Sequence, residues 1–196
     1  MAMLSIEKFL NRLQSKKGAL DLTEKLLDFT KPEETRSFLE IGCGSGLVTK
    51  YLAEKYNARV TGIDIDPQQI EMAKKNVNGI KNLQYRQADA VDLPFSENNF
   101  DVVLSFGVMH HIKEWLDAVK EVKRVLRGGG YFVYADIIYP ERITKMDSSS
   151  NISFGLVTID IDQLNSFLGK FGFTTIHSQW QKRLVCKNYE AVYRRN

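Results

Sequence analysis

The chain has 196 residues, 43% hydrophobic and 26% charged, which fits one soluble globular domain with a core of its own. A formal net charge of +3 is too small to demand a nucleic-acid partner, and it leaves one open. Two cysteines, Cys43 and Cys186, lie far apart with no CxxC spacing, so neither a disulfide framework nor a cysteine metal site is expected.

The start, "MAMLSIEKFLNRLQSKKG", lacks the apolar run of a signal peptide. No segment is apolar for long enough to span a bilayer, and a reducing, cytoplasmic setting is expected. Ile6, Phe9, Leu10 and Leu13 recur at helical spacing, as do Leu22, Leu26 and Leu27, with Gly18 between two helices. Lys8, Arg12 and Lys16 fall on one face of the first helix and read as a solvated stripe.

After Pro32, strands and helices alternate. "RSFLEI" is a strand, followed by a helix over about 47–56; "ARVTGID" is the next strand. Asp66-Pro67 opens a helix, with the aspartate as cap and the proline at the first helical position. "LQYRQAD" and "FDVVLSF" are strands three and four. "EWLDAVKEVKRVLR" carries Trp115, Val119, Val122 and Leu126 along one face, and the glycines 128–130 are expected to end that helix. "YFVYADII" is a continuous apolar run, as in a strand covered on both faces. Residues 139–156 are the least patterned stretch and read as a loop. Then come the helix "DQLNSFLGKFG" and two runs, "FTTIHSQW" and "NYEAVYR", expected to pair antiparallel at the sheet edge. The whole reads as α/β: seven strands, mostly parallel, helices on both faces, and antiparallel pairing near the C-terminus.

Gly42, Gly44 and Gly46 fall between the first strand and its helix, where the backbone can approach a ligand without a Cβ in the way. No Gly-Lys-Ser/Thr closes the loop, so it is not a P-loop. Leu47 stands where a dinucleotide loop wants its third glycine. Asp64 ends the second strand, placed to accept from both hydroxyls of a ribose. Asp89 follows the third strand, where a carboxylate could accept from an exocyclic amine such as adenine N6.

In that order, "FLEIGCGSG", "VTGIDIDPQQIEMAKKN", "QADAVDLPFSENNFDVVLSFGVMHHI" and "VLRGGGYFVYADI" resemble the class I S-adenosylmethionine-dependent methyltransferases of small-molecule type, closely over 36–138. One departure is visible: the family often has proline before the last two glycines, and Gly128 stands there. The resemblance implies a Rossmann-like sheet and S-adenosylmethionine as cofactor, with no metal. It implies that the loop from Gly42 through Cys43 and Gly44 to Gly46 wraps the methionine part, with Glu40 orienting the loop or the amino group. It further implies Asp64 on the ribose, Ile65 and Ala90 against the adenine, Asp89 on N6, and Ser105 and Phe106 at the methionine end.

One methyltransferase domain over 1–196 is expected: a helical lid over 1–31, the cofactor core over 36–138, and an acceptor side over 139–196. Tyr139, Arg142, Lys145 and Phe154 are available on that side, none diagnostic. His110 and His111 are the candidates for a general base, with packing of the loop as the alternative. His177 reads as structural or exposed. The expected acceptor is a small molecule. RNA or protein methylation, cofactor binding without transfer, and nicotinamide-dependent oxidation are the competing readings, with no membrane partner.

Overall fold

The computed structural model describes residues 16–77, 79–148, 155–182 and 186–196. Seven strands form one sheet in the order β3-β2-β1-β4-β5-β7-β6. They are β1 (Ser37–Ile41), β2 (Arg59–Asp64), β3 (Leu83–Gln87), β4 (Phe100–Phe106), β5 (Leu126–Ile138), β6 (Phe173–Lys182) and β7 (Lys187–Arg195). The first five pair parallel, and β7 runs antiparallel between β5 and β6. The order reverses between β1 and β4, so a crevice opens at the carboxyl ends of those two strands.

Alternate side chains of the strands feed two cores. On one face Leu39, Ile41, Val103, Phe132 and Tyr134 pack with Trp115, Ala118, Val119 and Val122 of the helix α4 (Trp115–Val125) and with Leu164 and Leu168 of α6 (Ile161–Lys170). On the other face Phe38, Val102, Leu104 and Val133 pack with Leu26 and Leu27 of α1 (Lys16–Leu27) and with Val48 and Leu52 of α2 (Leu47–Lys55). Burying each such side chain contributes about 1.5–3 kcal/mol, which outweighs the poor helix propensity of β-branched residues in α4. The helix α3 (Pro67–Lys75) opens as the sequence implies: the Asp66 carboxylate accepts from the Gln68 N–H at 2.8 Å.

Three expectations fail. Gly18 lies inside the first turn of α1 and separates nothing there; Lys8 and Arg12 lie outside the described residues. The glycines 128–130 do not end α4. That helix stops at Val125, because fully buried Leu126 is already extended and paired with Phe100, and the glycines lie within β5. Nor is 139–156 a loop throughout: Glu141–Ser148 is a helix, α5. Pro140 leads into it, Lys145 reaches back to Glu141 at 2.8 Å, and Thr144 and Asp147 are buried. Its apolar content is too low for periodicity to reveal it. Phe154 lies outside the described residues.

Candidate functional site

The glycine loop is braced from three directions. Cys43 N–H donates to the Ile63 carbonyl at 2.8 Å, Gly44 N–H to Asp64 Oδ2 at 2.9 Å, and the Tyr85 hydroxyl to the Gly46 carbonyl at 2.9 Å. The glycines serve different ends. A Cβ on Gly42 would sit 2.2 Å from Val108 Cγ2, and one on Gly46 would sit 2.3 Å from Tyr85 Oη, so both permit close packing. At Gly44, with φ +51°, the nearest atom would be Gln69 Oε1 at 3.7 Å. An added Cβ there would make only ordinary contact, so packing does not require glycine at that position, and the left-handed backbone does.

Asp64 Oδ1 accepts from the Asp66 N–H at 3.0 Å, so each carboxylate oxygen holds one backbone donor and keeps a second lone pair. Beside it, Ile65 is 65% exposed, a flat apolar wall next to a polar group. Asp89 is exposed, and its Oδ1 accepts from the Val91 N–H at 3.1 Å; Ala90 is buried behind it. These residues share the carboxyl edge of β1, β2 and β3.

Glu40 points into the protein instead. It is 4% exposed and takes a hydrogen bond from the Thr49 hydroxyl of α2, under the loop. Burial, opposed by the Thr49 bonds and reinforced by Asp64, raises its pKa to about 8. The folded state therefore holds this proton more tightly than the unfolded chain, and stability is lost as pH rises from about 4.5 to 8. Glu40→Gln keeps the shape without the charge. Its melting temperature should exceed that of the parent at pH 8.5 and lie close to it near pH 5, the stability difference at the higher pH being on the order of a few kcal/mol. Parallel melting curves across that range would show an ionised Glu40.

Ser105 and Phe106 are adjacent on β4 but face opposite sides. Ser105 aligns with Ile41 and Tyr134 on one face; Phe106 packs with the second core on the other. Only one of the two can touch a given ligand atom from below. The Ser105 hydroxyl is fully buried and has no hydrogen-bond partner among the described residues.

The histidines separate as well. His110 is 4% exposed, in a short 3₁₀ turn (Met109–His111) beyond β4. Its Nδ1 pairs with Asp136 Oδ1, and its N–H donates to Asp136 Oδ2 at 3.2 Å. Asp136 is 3% exposed and also accepts from the Ile137 N–H at 2.7 Å. With Nδ1 engaged, Nε2 is the ring nitrogen left for other chemistry; it makes no hydrogen bond to another described residue. His111 is exposed, with its ring centroid 4.0 Å from that of His110, and the Tyr139 ring lies 5.4 Å from His110. Asp136 was missed in the sequence; the signal was an acid inside an otherwise apolar strand. The His177 ring is stacked on Phe29, with centroids 4.3 Å apart. Arg142 and Lys145 are exposed. Among the described residues, no helix is long and apolar enough to cross a membrane, and no group of three His, Cys, Asp or Glu could hold a metal ion.

Residues 39–134 match the family described as methyltransferase domain. The fatty-acid O-methyltransferase of Mycolicibacterium smegmatis is 41% identical over 104 residues, which is 53% of this chain and 38% of that protein. An O-methyltransferase of Penicillium expansum is 32% identical over 151 residues, 74% of this chain and 54% of that one. The matches thus span about half or less of these relatives' length. Among solved structures, geranyl diphosphate methyltransferase in complex with S-adenosylmethionine superposes with a TM-score of 0.76 at 15% identity, covering 88% of this chain and 84% of that one. The cyclase SpnF does so with a TM-score of 0.76 at 18% identity, covering 91% and 81%. At such identities the structures share the fold alone. The glycine loop, the strand-end acids and the family match agree: residues 39–134 are a methyltransferase domain, of the class I S-adenosylmethionine-dependent kind.

Proposed function

We propose that this protein transfers a methyl group from S-adenosylmethionine to an oxygen of a small-molecule acceptor, a hydroxyl or a carboxylic acid. The observation that carries the acceptor half is the buried His110–Asp136 pair at the carboxyl ends of β4 and β5, beyond the glycine loop. The names of the Mycolicibacterium and Penicillium relatives, both O-methyltransferases, support oxygen as the methylated atom.

The residues present fit the cofactor. Gly44 leaves room above the loop, Ile65 offers an apolar wall, Asp64 keeps free lone pairs for ribose hydroxyls, and the Ser105 hydroxyl lacks a partner. Asp89, with Ala90 behind it, would take the adenine edge, and the backbone from Gly42 through Cys43 to Gly46 the methionine part. When bound, S-adenosylmethionine supplies an electrophilic methyl carbon on a cationic sulfur. The protein's work is then to align the acceptor oxygen, exclude water and, from a hydroxyl, receive one proton. Alignment alone is worth up to about 7–11 kcal/mol. When the acceptor is a hydroxyl, that proton would go to His110 Nε2; a carboxylic acid acceptor, ionised near neutral pH, would need alignment alone. Asp136, holding the Nδ1 proton, positions the imidazole and stabilises the imidazolium that results.

Methyl-labelled S-adenosylmethionine, incubated with fatty acids, phenols and alkyl alcohols of graded length, tests the reading. Label should appear in one of those classes. Label recovered instead in RNA or protein fractions of a cell extract would overturn the small-molecule assignment. Asp64→Ala should weaken cofactor binding by about 1.5–3 kcal/mol for each charged hydrogen bond lost, read by calorimetry. Unchanged affinity would leave Asp64 as a loop brace only.

A further inference from the structure

The departure at Gly128 has no part in the chemistry above. It lies at the opposite edge of the sheet, where the parallel strands begin. Phe100 pairs with Leu126 and Val102 with Tyr131, so residues 127–130 bulge out opposite Asp101 alone. The pairing of β5 with β7 begins only at Tyr131. This bulge lines an open cleft of about 370 Å³ together with Thr30, Lys31, Glu34 and Arg194.

Three cations line that cleft. Arg127 is held by Asp101 at 2.8 Å, and that carboxylate is further occupied by the Ser37 hydroxyl at 2.8 Å and the Arg36 N–H at 3.0 Å. Lys31 is 73% exposed and stands 3.8 Å from Glu34, itself 76% exposed on the rim. Arg194 makes only a long bond, 3.5 Å, to the Gly129 carbonyl. Lys31 and Arg194 are therefore only loosely committed, while Asp101 is satisfied within the protein. A Cβ at Gly128 would meet nothing within 4 Å, so packing does not require glycine there. Gly128 keeps a backbone N–H that proline would remove, in the bulged part of β5 that is paired with neither β4 nor β7. Backbone donors released from the ladder by a bulge and flanked by cations can face an anion.

We propose that this cleft is a second ligand site, remote from the glycine loop, that binds a small phosphate-bearing anion through the Gly128–Gly130 amides, Lys31 and Arg194. Its volume admits a phosphate ester or a diphosphate. Fork-shaped guanidinium donors match phosphate oxygens, which is the geometric reason for Arg194.

The test is titration of the nitrogen-15-labelled chain with inorganic pyrophosphate, and with sodium chloride at matched ionic strength. The Gly128, Gly129 and Gly130 amide signals should shift saturably with pyrophosphate and not with chloride. Arg194→Gln should weaken that response about tenfold or more, the usual scale of one charged hydrogen bond. Gly128→Pro should weaken it while the melting temperature stays near that of the parent. Equal shifts with chloride, absence of saturation, or an unchanged response in both variants would overturn the site. S-adenosylmethionine binding, measured on the same samples, should be the same in parent and variants. Its loss in the parent would count against the proposed function and leave the pyrophosphate result standing by itself.

Discussion

His110→Gln should lower the rate of methyl transfer to a hydroxyl acceptor about 10²–10⁴-fold while cofactor affinity stays within a factor of a few. The substitution is chosen because glutamine can still hydrogen-bond to Asp136 through its amide, and the backbone bond from residue 110 to Asp136 survives any side-chain change. The fold around the 3₁₀ turn is thereby kept, and what disappears is the basic nitrogen. Asp136→Asn should act in the same direction through a different route. An asparagine cannot hold the proton on Nδ1 as a carboxylate does, so the imidazole loses its preferred tautomer and the stabilisation of its cation. Single-turnover rates with labelled cofactor, paired with calorimetry, separate the two quantities. A rate unchanged in His110→Gln would mean that the buried pair only pins the turn to β5, and that methyl transfer proceeds by alignment alone.

Gly46→Ala should be strongly destabilising in the glycine loop. Its φ of +83° places alanine in the left-handed region, at a cost of about 1–2 kcal/mol. The added Cβ would also lie 2.3 Å from Tyr85 Oη and 3.0 Å from the Ala73 Cβ. Tyr85 is 8% exposed and tied to the Gly46 carbonyl, so it cannot swing aside without losing a buried hydrogen bond. Overpacking of this kind adds about 1–3 kcal/mol, giving a total loss of roughly 2–5 kcal/mol by urea denaturation. Gly44→Ala is the informative contrast. It carries the backbone strain but meets only Gln69 Oε1 at 3.7 Å. Stability should fall by about 1–2 kcal/mol, the backbone term alone. Cofactor affinity should fall further, because the new methyl occupies the open side of the loop. Equal stability losses in the two variants would mean that Tyr85 does not confine Gly46.

The same two sites show what was legible in the amino-acid order. The alternation of strands and helices, the cap at Asp66 and the succession of loop, Asp64 and Asp89 were readable because each is local. A strand or helix announces itself through its own periodicity, and a strand-end acid through its distance from a glycine. The helix Glu141–Ser148 was not readable, because it rests on one ion pair and two buried polar side chains and not on an apolar stripe. The glycines 128–130 misled for a related reason. Their composition says helix end, but the pairing of Leu126 with Phe100 had already drawn the chain into the sheet.

The sequence by itself determined the parallel α/β layout, the antiparallel finish and which edge of the sheet carries the glycine loop, since these follow from the order and period of the elements. Only the tertiary structure decided that His110 meets Asp136, that Glu40 turns inward to Thr49, and that Ser105 and Phe106 part to opposite faces. His110 and Asp136 are 26 residues apart, and they meet because β4 and β5 lie side by side in the sheet. The pKa of Glu40 is pushed up because α2 packs over the strand and removes water from it. Pairing, burial and facing are properties of neighbours in space, and the sheet order that makes those neighbours is fixed by the packing of the whole chain.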